Sequence, residues 1–271
     1  MSLQNYLRSI YQVDAFTKEA FKGNPAAVVI ADPSMESDFM QKFAAEMNLS
    51  ETAFVSSGDG YFNIRFFTPF SEVPLCGHAS LAAAHILFEN GIVDSNDNIK
   101  FKTPKYDLLF YKKGENLVLE FPIYQIKEID IPEVFTEITG LSPKELYKSE
   151  HGWYLAYFEN NVDVIRSHPL TSHMKHSDFG HLIITAKANK EDKYDFIYRC
   201  FAPALGINED PVTGSAQCAL APFWKMKTGK TSFKSFQASK RSGNLETSFL
   251  NDNTIQIKGK ATTVFEGKLK I

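Results

Sequence analysis

The stretch that decides the fold runs from Arg65 to His85 and reads RFFTPFSEVPLCGHASLAAAH. An aromatic segment, predicted to be a strand, leads through a proline-bounded turn into the step Cys76-Gly77-His78, which opens an alanine-rich helix. A second copy runs from Arg199 to Trp224 and reads RCFAPALGINEDPVTGSAQCALAPFW. The two copies predict a duplicated fold in which each half contains one strand–loop–helix unit.

The two copies match in two segments, and the number of positions between matching residues differs between these segments. The strands match as Arg65-Phe66-Phe67-Thr68-Pro69 and Arg199-Cys200-Phe201-Ala202-Pro203, 134 positions apart. The helix starts match as Gly77-His78-Ala79 and Gly214-Ser215-Ala216, 137 positions apart, so the second loop is three residues longer. We therefore expect a site where the two helix starts meet.

The bulk composition limits the class of partner. The 271 residues suit two domains of about 130 residues each. Apolar residues make up 44% and charged residues 23%, as in an ordinary globular protein, and the net charge is −3. Acids and bases are mixed along the chain without a basic block, which disfavours nucleic acid and a membrane surface as partners. The predicted partner is a small molecule.

The cysteine count and the N-terminus indicate the compartment. The three cysteines form no Cys-x-x-Cys pair, which argues for a reducing environment and against a disulfide framework or a zinc ribbon. The opening MSLQNYLRSI lacks the apolar segment of a signal peptide, so we predict a cytoplasmic protein. The histidines between positions 168 and 181 include a His-x-x-His spacing, but without a helix signature or a nearby cysteine, and no phosphate-binding glycine motif is present. The sequence predicts neither a metal nor another cofactor.

The order of predicted elements indicates the fold class. Many short strands with about four helices, and few strand–helix–strand alternations, predict a mixed α+β fold. One helix per half is apolar nearly all round, so we expect a sheet wrapped around a central buried helix. A polar, proline-punctuated segment predicts two domains, 1–129 and 130–271, and leaves open a return of the last strand to the first domain. Cap signals at Ser142-Pro143-Lys144-Glu145 predict a helix, and Val162–Arg166 is predicted to be a strand.

The predicted helix starts suit a negatively charged ligand. Each offers backbone N–H groups without an intrahelical acceptor and about half a positive charge. Gly77 and Gly214, the latter followed by Ser215, would let an anion approach the backbone closely. Two such starts in one cleft would bind a carboxylate and stabilise negative charge developing on it. The simpler alternative is that both glycines only serve their turns.

Proton transfer in that cleft needs a titratable group, and the candidates are Glu51, Cys76, His78 and Asp210. Glu51 lies at a predicted helix-to-strand junction among apolar neighbours, where a carboxyl group acquires a raised pKa useful for acid–base chemistry. The simpler interpretations are a solvated Glu51, an Asp210 that closes a turn, and a His78 that caps or packs its helix. A two-thiol racemase would need a cysteine opposite Cys76, but the repeat places Thr213 there.

Six strings in this order identify a family: FKGNPAAVV, NLSETAFV, RFFTP, PLCGHASLAAAH, FAPALGINEDPVTGSAQCALAPFW and KRSG. The chain resembles the phenazine-biosynthesis isomerase (PhzF-like) family over nearly its whole length. The resemblance implies the diaminopimelate-epimerase fold, in which two pseudo-symmetric domains each wrap a β-barrel-like sheet around a central helix. It also implies a cofactor-free active site in the cleft between the domains, and a homodimer.

The resemblance assigns roles to individual residues. Glu51 in Ser-Glu-Thr-Ala-Phe matches the family's catalytic acid/base, and His78 and Asp210 match its site histidine and site aspartate. The helix-start positions that hold substrate are matched by Gly77, Gly214 and Ser215. The Gly-Asn-Pro string around Asn24 also matches, but we assign it only a structural turn.

The predicted function is an isomerase that moves a proton between two carbons of a small carboxylate-bearing substrate, with Glu51 as the base. The epimerase relatives use a cysteine at each helix start, and only Cys76 is in place here, which favours the carboxylate-based branch. Two alternatives stay open: a small-molecule-binding protein of the same fold without catalysis, and a racemase or epimerase that works through Cys76.

Overall fold

The structure, a computed structural model, describes residues 3–105 and 107–270, with the side chains of residues 5 and 6 left out. The chain forms two compact units. The first extends to Glu120 and includes the C-terminal segment from Lys258, and the second is Phe121–Ile257. The chain thus enters the second unit nine residues before the boundary predicted after residue 129. Within the described ranges, no helix is both long and apolar enough to span a membrane.

The first unit consists of nine strands and two α-helices among the described residues. Its strands are β1 (Ser9–Ala15), β2 (Asn24–Ile30), β3 (Glu51–Ser57), β4 (Phe62–Phe67), β5 (Glu72–Val73), β6 (Ile99–Lys102), β7 (Asp107–Lys113), β8 (Asn116–Pro122) and, from the end of the chain, β18 (Ala261–Lys268). Its helices are α1 (Ser37–Met47) and α2 (Gly77–Glu89), and a 3₁₀ turn covers Leu3–Tyr6. Strand β1 pairs antiparallel with both β2 and β18.

Helix α2 is the core of the first unit. It packs against β1, β2, β3 and β18. Its alanines and large apolar residues are buried on every side, with Leu81, Ile86 and Leu87 fully removed from solvent. Each such large side chain contributes about 1.5–3 kcal/mol through burial. The helix ends at Glu89, and Gly91 just beyond it has a φ of +63°, the left-handed conformation that glycine adopts without a Cβ penalty. The predicted central helix is therefore confirmed.

The second unit repeats this plan with additional short helices. Its strands are β9 (Ile126–Ile129), β10 (Glu145–Ser149), β11 (Tyr154–Tyr157), β12 (Leu182–Lys187), β13 (Phe196–Ala202), β14 (Ile207–Asp210), β15 (Ser232–Gln237), β16 (Gly243–Phe249) and β17 (Thr254–Gly259). Its helices are α3 (Glu133–Thr139), α4 (Asn161–Arg166), α5 (Thr171–Met174) and α6 (Gln217–Thr228), and Pro203–Leu205 forms a 3₁₀ turn. Helix α6 buries both apolar and polar residues of its first two turns.

Strand pairing shows that the two units are built alike. Parallel pairs β2–β3 and β4–β6 in the first unit correspond to β11–β12 and β13–β15 in the second. Antiparallel pairs β3–β4 and β4–β5 correspond to β12–β13 and β13–β14. Strands predominate and helices are few, so the fold is mixed α+β, as predicted. The duplication inferred from two sequence strings extends to these four strand pairs in each unit.

The repeat also preserves one ion pair in detail. Arg65 donates to Glu72 through Nε (2.8 Å) and Nη2 (2.7 Å). Arg199 donates to Glu209 through the same two atoms, at 2.7 and 3.0 Å. Each guanidinium also lies 5.1 Å from the ring centre of the phenylalanine two positions later. Each pair ties a strand to the segment that leads into the long helix.

Two local predictions in the second unit are wrong. The cap signal at Ser142 does not open a helix, because Glu145–Ser149 is the strand β10, which pairs on both sides with β9 and β11. The helix lies earlier, at Glu133–Thr139, and ends at Gly140 with φ +71°. The predicted strand Val162–Arg166 is helix α4, in which only Val164 is buried. Tertiary pairing overrides local propensity in both places.

Candidate active site

Glu51 and His78 meet in the first unit. Glu51 is the first residue of β3, and His78 is the second residue of α2. Oε2 of Glu51 lies 3.2 Å from Nε2 of His78, and the two side chains are only 12% and 7% exposed. The two atoms do not form an aligned hydrogen bond, although their distance is that of a close polar contact. A carboxylate and an imidazole are thus placed side by side with little access to water.

Asn24 completes this contact from the opposite side of the imidazole. It is the first residue of β2 and is fully buried. Its amide Nδ2 lies 3.2 Å from Nδ1 of His78. The preceding Gly23 has a φ of +67°, and a Cβ there would lie 2.2 Å from the carbonyl oxygen of Ala15. Only glycine lets the chain turn into β2 at this angle, so the Gly-Asn step both makes a turn and places Asn24 on the histidine.

The hydrogen bond from Asn24 determines where the histidine carries its proton. An amide nitrogen only donates, so Nδ1 of His78 accepts and the ring proton lies on Nε2, next to Glu51. Burial lowers the pKa of His78 from 6.5 to about 3. The imidazole is therefore neutral at physiological pH and presents an N–H group to the carboxylate of Glu51.

Cys76 lies on the Asn24 side of the same imidazole. It is the residue that precedes α2, and its Sγ is 3.4 Å from Nδ1 of His78. One donor atom from each of Glu51, Cys76 and His78 lies within 4.8 Å of the others. The thiol and the carboxylate face opposite ring nitrogens, so in this arrangement the three groups do not converge on one point. The arrangement as it stands suits proton transfer.

The start of α2 adds backbone donors to this site. The carbonyl of Cys76 accepts hydrogen bonds from the backbone N–H (3.1 Å) and the hydroxyl (2.6 Å) of Ser80, which fixes the first turn. The N–H groups of Gly77 and of the next residues have no acceptor within the helix. With the positive end of the helix dipole, they favour a negatively charged group at this position.

In the second unit, Asp210 is held in the loop before α6. It is the last residue of β14, and its carboxylate accepts a hydrogen bond from the hydroxyl of Thr213. Gln237 clamps the same loop, because its Nε2 donates to the Asp210 carbonyl at 2.6 Å and its Oε1 accepts from the Thr213 N–H at 2.6 Å. Asp210 and Thr213 are therefore fixed relative to each other.

Gly214 and Ser215 lie in a tight turn rather than in the helix itself. Their carbonyl groups accept from the N–H groups of Gln217 (3.0 Å) and Cys218 (3.0 Å), three positions later. Helix α6 starts at Gln217, three residues after the predicted start. The structure thus brings Glu51 and His78 together in one unit, and it joins Asp210 through Thr213 to the Gly214–Ser215 turn in the other.

Pairing registers show which residues take equivalent positions in the two units. Thr52 pairs with Phe67, and Leu182 pairs with Phe201, its counterpart in the repeat. Thr52 and Leu182 therefore take equivalent positions, and so do the residues that precede them, Glu51 and His181. Across the helix starts, His78 corresponds to Ser215. The scaffold is duplicated, but the acid–base groups are not.

Two residues of these sites were missed or misjudged from the sequence. Asn24 was assigned only a turn, although its side chain contacts His78. Gln237 carried no functional signal at all, because its role depends on β15 lying beside β13. The Gly-Asn-Pro string was the available sign for Asn24, since a buried asparagine next to a strained glycine needs a hydrogen-bond partner.

Comparison with known proteins shows the family of this chain. The family model described as "Phenazine biosynthesis-like protein" (PhzC-PhzF) matches residues 13–267. An uncharacterized isomerase of Halalkalibacterium halodurans is 42% identical over 262 residues, covering 96% of this chain and 97% of that protein. A crystal structure of a PhzF-family phenazine biosynthesis protein from Enterococcus faecalis superposes with a TM-score of 0.90 at 35% identity, covering 97% and 99% of the two chains.

More distant structures share the fold alone. A hydroxyproline epimerase from Agrobacterium vitis superposes with a TM-score of 0.60 at 11% identity, covering 96% of this chain and 92% of that one. The expected epimerase-like fold is therefore confirmed.

Proposed function

Because the chain belongs to the PhzC-PhzF, phenazine biosynthesis-like, family, we propose that it is an isomerase. It moves a proton between two carbons of a small carboxylate-bearing substrate, and it needs no cofactor to do so. The relatives from Halalkalibacterium halodurans and Pseudomonas aeruginosa that are named isomerases support the reaction class. The observation that carries the proposal is the contact between Glu51 and His78.

Glu51 acts as the general base and then as the general acid. Its carboxylate removes a proton from a substrate carbon next to an electron-withdrawing group, the double bond shifts, and the same carboxyl group returns the proton at a second carbon. No electrons leave the substrate, so no oxidant or reductant is needed. Nε2 of neutral His78 lies 3.2 Å from the carboxylate, a close polar contact that supplies no competing positive charge.

The substrate carboxylate, and the negative charge that develops beside it, need hydrogen-bond donors to stabilise them. We assign these to the backbone N–H groups near Gly77 and to those of the turn at Gly214 and Ser215. Asp210, held by Thr213, orients the substrate or relays a proton. The fixed loop geometry supports this assignment, since preorganised groups require little rearrangement during reaction.

Replacement of Glu51 by Gln tests the assignment, because Gln keeps the size and removes the base. With a substrate identified by thermal-shift screening of small acids, turnover is measured as formation of the isomerised product. In deuterium oxide, the product carbon should carry solvent deuterium in every turnover in which the Glu51 carboxyl group exchanges its proton before returning it. We expect Glu51→Gln to lower turnover about 10²–10⁴-fold. Glu46→Gln, at an exposed position of α1, is the matched control and should retain full activity. Full turnover by the folded Glu51→Gln protein would disprove the role of Glu51.

The same assay separates the two alternatives. A non-catalytic binding protein would bind the acid and exchange no deuterium. A thiol-based racemase would lose its activity in Cys76→Ala and after alkylation, whereas the carboxylate mechanism predicts that Cys76→Ala still turns over. We also propose a homodimer, which light scattering would show as twice the monomer mass.

A further inference from the structure

Cys76 takes no part in the proposed proton transfer, yet its thiol lies within the same cluster as the two groups that do. We define the Glu51–Cys76–His78 cluster by these three side chains. Sγ of Cys76 lies 3.4 Å from Nδ1 of His78, and Nε2 of the same ring lies 3.2 Å from Oε2 of Glu51. The cluster therefore offers one sulfur, one nitrogen and one oxygen donor, all nearly buried.

These separations are close to those around a tetrahedral zinc ion. Zinc binds thiolate at about 2.3 Å, imidazole at about 2.0 Å and carboxylate at about 2.1 Å, which sets neighbouring donor atoms about 3.3–3.6 Å apart. The contact between Cys76 and His78, at 3.4 Å, lies in this range, and the contact between His78 and Glu51, at 3.2 Å, lies just below it, but the two contacts involve opposite nitrogens of the ring. A shared ion requires the imidazole of His78 to turn so that one nitrogen lies between the thiol and the carboxylate. The widest separation, up to 4.8 Å, must then close by about 1 Å.

The charge balance also favours a divalent cation. A thiolate and a carboxylate together carry two negative charges, which a divalent cation neutralises without leaving a buried charge uncompensated. An imidazole binds metal in its neutral form and adds no charge to this balance. Binding releases only the thiol proton of Cys76, which passes to solvent. Three protein ligands leave a fourth position for water or for a substrate carboxylate.

We propose that the Glu51–Cys76–His78 cluster binds a thiophilic divalent cation, such as Zn²⁺ or Co²⁺, and that the bound cation blocks proton transfer. The sulfur ligand selects against Mg²⁺ and Ca²⁺, which prefer oxygen. The blocking effect rests on the proposed function, since a cation on Glu51 occupies the carboxylate that would act as the base. The binding itself does not rest on it.

Titration of the chelator-treated protein with Co²⁺ tests the binding without a substrate. Thiolate bound to Co²⁺ gives a charge-transfer absorption band, and we expect it to saturate at one equivalent. Zn²⁺ should displace the band, and Mg²⁺ should not. Cys76→Ala should abolish the band, and Glu51→Gln should weaken the affinity about tenfold or more.

Cys218→Ala is the matched control, because burial raises the pKa of the Cys218 thiol to about 12 and keeps it protonated. This variant should retain the band. A band that persists in folded Cys76→Ala, or the lack of any thiolate band in folded wild type, would overturn the proposal. Circular dichroism establishes folding in each case, and Glu51→Gln provides a second test should Cys76→Ala not fold.

Inhibition by Zn²⁺ is then measured on the turnover assay. We expect stoichiometric Zn²⁺ to abolish turnover reversibly, with recovery on addition of chelator. If Co²⁺ binds through Cys76 but turnover in Zn²⁺ is undiminished, only the blocking effect is refuted. Loss of the proposed isomerase activity would leave the cobalt result unaffected, so the two failures are distinguishable.

Discussion

Asn24 donates a hydrogen bond to Nδ1 of His78 across 3.2 Å, although the two residues are 54 positions apart in the sequence. This bond places the imidazole proton on Nε2, beside the carboxylate of Glu51. A buried asparagine at the start of β2 therefore controls whether the ring nitrogen beside the proposed base, Glu51, carries a proton.

Replacement of Asn24 by Ala should disturb this tautomer. Without its donor, Nδ1 of His78 can carry the proton, and the imidazole then presents an unprotonated nitrogen to Glu51. Nitrogen-15 NMR of the histidine ring should show a mixture of tautomers, and turnover should fall about five- to tenfold, as expected for one lost hydrogen bond. Asn63→Ala, at an exposed position of β4, should change neither. An unaltered His78 spectrum in Asn24→Ala would contradict this account.

His78 should make the free energy of unfolding depend on pH. Its pKa is about 3 in the folded chain, where burial lowers it from 6.5. Between these values the unfolded chain binds more protons, so the stabilisation is complete above pH 6.5 and is lost as the pH falls towards 3. The contribution is at most about 1.4 kcal/mol per pH unit.

Denaturant unfolding of His78→Gln across this pH range measures the contribution. The slope of unfolding free energy against pH should become shallower by up to about 1.4 kcal/mol per unit. His173→Gln, which removes an exposed histidine of α5, is the matched control for loss of a histidine. Equal slopes in wild type and His78→Gln would show that the imidazole is not buried in its neutral form.

The two equivalent arginines should differ in their contribution to stability. The Arg199 and Glu209 side chains are 10% and 24% exposed, and those of Arg65 and Glu72 are 29% and 36% exposed. Arg199 also donates at 2.7 Å to the carbonyl of Ser167, after the end of α4. Arg199→Met should cost up to about 3–5 kcal/mol, because the partly buried carboxylate of Glu209 loses its nearly buried partner. Arg65→Met should cost about 1 kcal/mol or less. Comparable losses in urea unfolding would refute the distinction.

Gly23 should tolerate substitution less well than other glycines with positive φ. Gly23 and Gly60 have φ values of +67° and +72°, but only at Gly23 would a Cβ meet the backbone, 2.2 Å from Ala15 oxygen. Gly60→Ala should cost about 1 kcal/mol, and Gly23→Ala about twice that or more. Because Asn24 follows directly, Gly23→Ala should also reduce turnover. Thermal unfolding of both variants tests this ranking. Equal decreases in Tm for the two variants would contradict it.

Much of the fold could be predicted from local patterns. The alanine-rich run after Gly77 can only be a helix buried on all sides, and the second copy at Gly214 reveals the duplication. Local sequence patterns gave wrong predictions where the strand-pairing partners decide the structure. The segment starting at Glu145 carries helix signals, yet it is a strand because β9 and β11 supply hydrogen-bond partners on both sides. Sequence reasoning has no access to partners that are distant along the chain.

The sequence by itself determined the α+β class, the repeat and the family, and it nominated Glu51 and His78 as site candidates, because each inference rests on residues adjacent along the chain or on matching strings. Only the tertiary structure decided that these two side chains touch, that Asn24 sets the proton position between them, and that Gln237 holds the Asp210 loop. Such contacts arise when separate strands and a helix start are brought to one place, and their energies depend on burial and distance. Neither quantity can be read from the order of residues alone.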